Sequence, residues 1–313
     1  MILILSFADN AHVERVLPHL HSPVEVIDVA DFPRRLGILA YAGASGDSLW
    51  LELGDGRRLA LDEVRSVWNR RIRSFDLDPA LGDGTERLFA WSETQEAVLG
   101  LWYALDSFWM NHPLADERAQ RKLTQHRLAH RLGLEIPDTL ITNRPDAAAE
   151  FIARHGDGGV VRKAFRNIVE APRETLKVGQ DEMARLEAVR LAPVIFQEYI
   201  PLALDLRVTA VAGEMFATAF RSEPQYEVDY RSGVGSAEVF PYTLPDEVEA
   251  GLRALMRELG LAYGAIDLRV TPEGRHVFFE VNPAGEYLFA SERSGQPIPQ
   301  AIAAALERGG GEW

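Results

Sequence analysis

Apolar positions along the chain switch repeatedly between a period of two and a period near 3.6, the signatures of strand and helix. The opening run ILILSF predicts a buried strand, NAHVERVLPHLH a helix, and VEVIDVADFP a second strand entering a proline turn. That order predicts a βαβ unit with a parallel sheet. SLWLEL and RRLAL flank a Gly-Asp-Gly turn and predict a hairpin. VRSVWNRRIRS predicts a strand ending in basic residues, and Leu81 to Trp109 is spaced as a helix rich in tryptophan. After a break at Asn111 and Pro113, Asp116 and Glu117 suit the start of a single helix running through RKLTQHRLAHRLGL to Gly133.

The remainder alternates in the same way. IPDTLITN, GGVVRKAF and PVIFQEYI predict strands, separated by the helices RPDAAAEFIARHG and GQDEMARLEAVR. LRVTAVAGEMFATAFRS predicts a hairpin turning at Gly213 and Glu214, followed by a loop-rich tract, EPQYEVDYRSGVGSAEVFPYTLP. The helix DEVEAGLRALMRELGL precedes a second hairpin, AIDLRVTPEGRHVFFEVN, turning at Pro272 to Gly274, and IPQAIAAALERG predicts a last helix. The fold class is α/β, with an antiparallel (α+β) C-terminal part.

Charge narrows the function. The 47 acidic residues outnumber the 33 basic ones, for a net charge of −14. Such a balance argues against wrapping a nucleic-acid backbone but leaves room for a local basic pocket. The absence of cysteine excludes thiolate catalysis, disulfides and cysteine metal sites. No apolar run approaches about 20 residues, so no membrane span is expected and the cytoplasm is the expected location.

Within VFFEVN, period-two alternation puts Glu280 and Asn282 on one face and Phe279 and Val281 on the other. Asp267 on the preceding strand completes a set of two carboxylates and an amide, which suits a hard divalent cation such as Mg²⁺. A half-solvated strand face can carry the same residue types. Lys163 lies in a strand otherwise suited to burial, where an ammonium is costly unless it meets an anion or reaches the rim. Lys122 lies on a helix rich in Arg and His, where plain exposure is the simpler reading. In FQEYIPLALDLRV, Gln197 and Glu198 end one strand and Asp205 and Arg207 follow on the next. An extended backbone there can read an adenine edge, and an acid can accept from ribose hydroxyls. Arg207, Arg221, Arg231 and Arg269 can grip carboxylate or phosphate. His126 and His130 lack the intervening glutamate of the zinc-protease pattern and read as solvent-facing. Trp91, Trp102 and Trp109 read as helix packing. No Walker loop or nucleophile elbow is present.

Taken in order, the two lysines, QEY, DLR, Asp267 and EVN make the chain resemble the ATP-grasp ligases. VWNRRI, the NHPLADERAQRKLTQHRLAHRLGLEIPDTLITN segment, APVIFQEYI, VDYRS and GAIDLRVTPEGRHVFFEVNPAGEYLF extend the resemblance, over nearly the whole chain, to the microviridin-type (graspetide) peptide ligases. That family implies a pre-ATP-grasp βαβ domain over 1–112, a central small α/β subdomain over 113–196 and a C-terminal antiparallel-sheet subdomain over 197–313. ATP would lie between the last two. Lys122, Lys163 and Arg231 would contact its phosphates, Glu198 and Tyr199 would flank the adenine with Gln197 also in the nucleotide site, and Asp205 would lie near the ribose or the adenine-side network. Asp267, Glu280 and Asn282 match the Mg²⁺ ligands, while Arg207 and Arg221 are candidates for holding the substrate carboxylate or acyl phosphate. The chain departs from related patterns in two places: RSG replaces the R-S-N run of glutamate ligases, and NPAGEYLF replaces the NP-N-G-Q-W form of microviridin ligases, with Glu286 in place of Gln. The resemblance implies ester or amide formation within a precursor peptide of leader plus core, and suggests a homodimer. An ATP-grasp ligase for a small molecule or a protein terminus, and a degenerate ATP-binding subunit, are the alternatives.

Overall fold

The computed structural model describes residues 1–82, 84–165, 175–223, 225, 228 and 235–310. Its N-terminal part contains β1 (Ile2–Ser6), α1 (Ala11–Val16), β2 (Val24–Ile27), β3 (Gly37–Gly43), β4 (Gly46–Glu52), β5 (Arg58–Ala60), β6 (Ser66–Arg71), α2 (Thr85–Tyr103) and β7 (Phe108–Met110). Strand order β2-β1-β6-β7 is parallel throughout, as the βαβ pattern predicts. Alternation in β1 explains why both faces are covered. Ile2 and Ile4 enter one core, whereas Leu3 and Leu5 enter another with Val98, Leu101 and Trp102 of α2. The expected hairpin is β4 with β5, and β3 adds a strand to it that the reading did not anticipate.

Next come α3 (Pro113–Ala119), α4 (Lys122–Arg131), β8 (Thr139–Thr142), α5 (Pro145–His155), β9 (Val160–Lys163), β10 (Leu176–Lys177), α6 (Gln180–Ala184) and β11 (Val194–Glu198). The central sheet runs β10-β9-β11-β8 and is antiparallel, with α5 packed on it. The C-terminal part comprises β12 (Leu204–Val211), β13 (Glu214–Arg221), β14 (Glu238–Pro241), α7 (Asp246–Leu259), β15 (Tyr263–Val270), β16 (His276–Asn282), α8 (Leu288–Ser294) and α9 (Ile298–Arg308). Its sheet is antiparallel in the order β14-β13-β12-β15-β16. The acidic first turn of α7 and the left-handed Gly260 that ends it follow the expected cap chemistry.

Several expectations change. Trp109 is not helical: α2 ends at Tyr103, and Trp109 sits in β7, paired in parallel with β6, where strand pairing overrides the helical spacing. The single helix expected from Asp116 to Gly133 is two. His112 caps α3 from before Pro113, and the chain breaks at Gln120 and Arg121 before α4 begins. The break lets both helices share one core, since Ala119, Leu128 and Ala129 pack with Leu252, Leu255, Ile266 and Phe278. The start of the segment expected to form the central subdomain is thereby carried into the C-terminal core. The helix expected at GQDEMARLEAVR is short α6 followed by a 3-10 segment, Leu186–Leu191. The loop-rich tract contains β14, and α8 has no counterpart among the predicted elements. The last helix, α9, returns to the N-terminal sheet, where Ile302 and Leu306 pack with Ile2, Ile4 and Trp68. No helix among the described residues is long and apolar enough to cross a membrane.

Candidate active site

Alternation along β12 and β15 separates core from cleft. Leu206, Val208, Ile266 and Leu268 enter the apolar core beneath α3, α4 and α7. The intervening residues face the other way, and register turns them into cross-strand pairs. Arg207 lies opposite Asp267, and Asp267 opposite Glu280. Arg207 Nη1 donates to Asp267 Oδ1 at 2.8 Å, and Lys122 of α4 closes the row with an ion pair to Glu280. One row thus sets two adjacent carboxylates between two cations across three strands and a helix.

The register between β15 and β16 shifts after Asp267, so that Leu268 faces Phe278 and Phe279 is the extra residue of a bulge. The expected alternation therefore fails at one position. Phe279 does not point away from Glu280 but lines the cleft with it. Lys163 Nζ lies 4.5 Å from the Phe279 ring centroid and the Arg269 guanidinium 5.6 Å from it.

Two residues of α4 that the sequence reading did not single out as functional fix this strand edge. The Gln125 side chain pairs with the Val281 backbone like a neighbouring strand, its Nε2 donating to Val281 O and its Oε1 accepting from Val281 N, both at 2.8 Å. His126 Nε2 lies 2.8 Å from Phe279 O, and since a carbonyl only accepts, this nitrogen carries the proton. Burial lowers the His126 pKa, Lys163 and Lys122 lower it further, and the Phe279 carbonyl opposes them. His126 is thus buried and structural, contrary to the solvent-facing reading, whereas His130 is exposed. Glu280 is held from both sides by these contacts. A polar Gln-His pair on an otherwise apolar helix face was the available signal.

The opposite wall comes from the central sheet. Lys163 Nζ donates to Gln197 Oε1 at 2.6 Å, and Gln197 Nε2 donates to Thr139 Oγ1 at 2.9 Å. Gln197 therefore orients Lys163 across three strands. Between the walls is a cleft of about 460 Å³, lined among others by Lys122, Lys163, Glu198, Asp205, Asp267 and Asn282. The backbone N–H groups of Glu198 and Tyr199 donate to the Asp138 and Gly159 carbonyls, so these two groups are not the ones offered to a base. Asp205 Oδ1 accepts from Arg269 Nε at 2.9 Å, and Arg269 Nη1 donates to Ile200 O at 3.0 Å, tying the segment that follows β11 to β15.

Not every candidate converges. Arg221 ends β13, is exposed, pairs with Glu238 at 2.5 Å, and is not among the cleft's lining residues. Arg231 lies outside the described residues.

Asp267, Glu280 and Asn282 form an all-oxygen donor set. Asn282 Oδ1 accepts from Ala284 N at 3.0 Å, which leaves one of its two lone pairs for a cation. Among the described residues there is no cluster of three or more His, Cys, Asp or Glu that could hold a metal ion. The set is partial and suits a hard cation that brings phosphate oxygens with it.

The profile of the MvdD pre-ATP grasp domain matches residues 1–117. The structure of macrocyclase MdnC bound with precursor peptide MdnA, from Microcystis aeruginosa MRC, superposes with a TM-score of 0.87 at 31% identity, covering 98% of this chain and 99% of that one. The chain belongs to the ATP-grasp macrocyclases. A second relative is the Chryseobacterium gregarium RiPP-associated ATP-grasp ligase, solved with ADP and a leader and core peptide. It has a TM-score of 0.88 and 25% identity over 98% of this chain and 96% of that one. The chain is also 28% identical over 220 residues to a ribosomal protein bS6–L-glutamate ligase of Escherichia coli, a match spanning 68% of this chain and 71% of the relative. An ADP-forming ligase with an ATP-grasp fold follows from these likenesses.

Proposed function

We propose that the protein is an ATP-dependent carboxylate ligase that forms side-chain ester or amide crosslinks in a ribosomally made precursor peptide. The observation that carries this reading is the charged row Arg207–Asp267–Glu280–Lys122, whose last three members line the cleft together with Lys163. ATP binds between the central sheet and the C-terminal sheet, with its base beside Glu198 and Tyr199 and its phosphates between Lys122 and Lys163. Mg²⁺, when held by Asp267, Glu280 and Asn282, neutralises phosphate charge.

A substrate carboxylate oxygen attacks the γ-phosphorus, ADP leaves, and an acyl phosphate forms. A hydroxyl or amine then attacks the acyl carbon and gives up a proton, and phosphate departs with the electron pair of the broken C–O bond and takes that proton up. Positioning and charge neutralisation dominate such transfers. Lys163, steered by Gln197, and Lys122, steered by Glu280, meet phosphate oxygens. Arg207, fixed by Asp267, presents its guanidinium to the activated carboxylate. Arg231 is retained as a phosphate contact on the resemblance alone, and Arg221 is set aside.

Incubation with Mg-ATP and a short peptide rich in Ser or Thr and Glu or Asp tests the reading. The peptide should lose one water per bond as one phosphate is released. Glutamate addition to a protein terminus without such mass loss would instead assign the activity of the glutamate ligases.

A further inference from the structure

Immediately after Asn282 the backbone turns, and each successive carbonyl of that turn is held by a different side chain. Asn111 Nδ2 donates to Pro283 O at 3.1 Å, and Arg70 Nη1 donates to Ala284 O at 2.7 Å. Tyr263 Oη donates to Gly285 O at 2.6 Å, and Arg207 Nη2 donates to Glu286 O at 3.0 Å. The first two donors belong to the N-terminal part and the last two to the C-terminal sheet.

The turn is also tied inward to Asn282. Ala284 N donates to Asn282 Oδ1 at 3.0 Å, and Gly285 N donates to Asn282 O at 3.1 Å. A Cβ at Gly285 would run into Ala265 and Arg207, so only glycine lets the turn lie this close to β15. Asn111 is further locked by the Tyr263 backbone, donating to its carbonyl at 2.9 Å and accepting from its N–H at 2.8 Å.

Arg70 is the unexpected member. It is 2% exposed, and its Nε and Nη2 have no hydrogen-bond partner among the described residues. A buried guanidinium so poorly satisfied is costly, and an apolar side chain of similar length would pack there with less penalty. What an apolar residue could not do is donate to Ala284 O.

We propose that Arg70 and Asn111 are positioning residues of the ligase reaction. By fixing the Pro283 and Ala284 carbonyls, the N-terminal part sets the orientation of the Asn282 amide and of the Arg207 guanidinium that meets the activated carboxylate. The inference rests on the function proposed above.

Arg70→Met and Arg70→Lys test it by two independent readouts. In peptide crosslinking, Arg70→Met should lower kcat about 100-fold, the scale of a misplacement near 1 Å, while KM values for ATP and peptide stay within about twofold. Arg70→Lys, which keeps a donor, should recover about tenfold of that loss. In hydrogen–deuterium exchange without any substrate, Arg70→Met should speed exchange over residues 282–288 and leave β1 and β12 unchanged. Wild-type kcat in Arg70→Met, or unchanged exchange in the turn, overturns the inference. So does faster exchange throughout the N-terminal sheet without rescue by Arg70→Lys, which is the mark of a merely structural residue. If Arg70→Met does not fold, Arg70→Lys is read by the same two measurements, with a smaller loss expected in each. A wild-type protein that crosslinks no peptide sinks the functional reading instead, and the exchange measurement still decides the turn.

Discussion

Lys122 of α4 is ion-paired with Glu280 of β16, so the protein sets its own cation against a carboxylate proposed to hold a metal. Removing that cation should act in opposite directions on the two ligands. Lys122→Met should bind Mg²⁺ alone more tightly, because nothing competes for Glu280. It should also raise the KM for ATP by about tenfold, the worth of one charge-assisted phosphate contact. Calorimetry with Mg²⁺ alone and steady-state kinetics check the two arms; equal Mg²⁺ affinity would show that Lys122 does not compete.

Glu280→Gln keeps the shape of the side chain and removes its charge. Crosslinking should fall by at least about 100-fold, as when a transition-state charge loses its stabiliser. Circular dichroism and Tm should stay near wild type, since Glu280 is half-buried and its backbone neighbours are held by Gln125 and His126. Normal turnover in this variant would remove the metal assignment.

Phe279 presents its ring to Lys163 at 4.5 Å. A partly desolvated contact of this kind contributes on the order of 1 kcal/mol. Phe279→Leu should therefore raise the KM for ATP about fivefold while leaving kcat within twofold, by the corresponding free-energy arithmetic. An unchanged KM would mean that the ring only packs.

Asp116 on α3 offers a stability test independent of catalysis. Burial pushes its carboxyl up to about 6 from 3.8, against the lowering effect of a hydrogen bond with Asn111. A carboxyl whose folded pKa lies above its unfolded one binds more protons in the native state between those values. Stability therefore falls as pH rises through that window, and the loss persists above it. Asp116→Asn should remove that slope and raise Tm at pH 7 by about 2 °C or more. Thermal melts from pH 4 to pH 8 measure it, and parallel profiles for the two proteins would contradict the assignment.

The strands were legible because β1, β12 and β15 obey period two and their faces part cleanly into core and cleft. The same rule placed Asp267 and Glu280 correctly but misplaced Phe279, because an inserted residue changes register without changing composition. The roles of Gln125 and His126 are hidden in the sequence for a related reason. Helical spacing shows which face is apolar but not that this face abuts the open edge of β16. Trp109 looked helical because its neighbours are, and pairing with β6 decided otherwise. Arg221 looked available until β14, inside a tract without strand alternation, brought Glu238 against it. Long-range partners of this kind leave no local trace.

The packing of α4 has a mechanical consequence. Lys122 rides on a helix embedded in the C-terminal core and stays in step with Glu280, whereas Lys163 belongs to the central sheet and reaches Phe279 only across the cleft. If the two walls part, the first ammonium keeps its place over the carboxylates and the second withdraws. The two lysines, alike in the sequence, would then divide their work as a fixed anvil and a moving jaw.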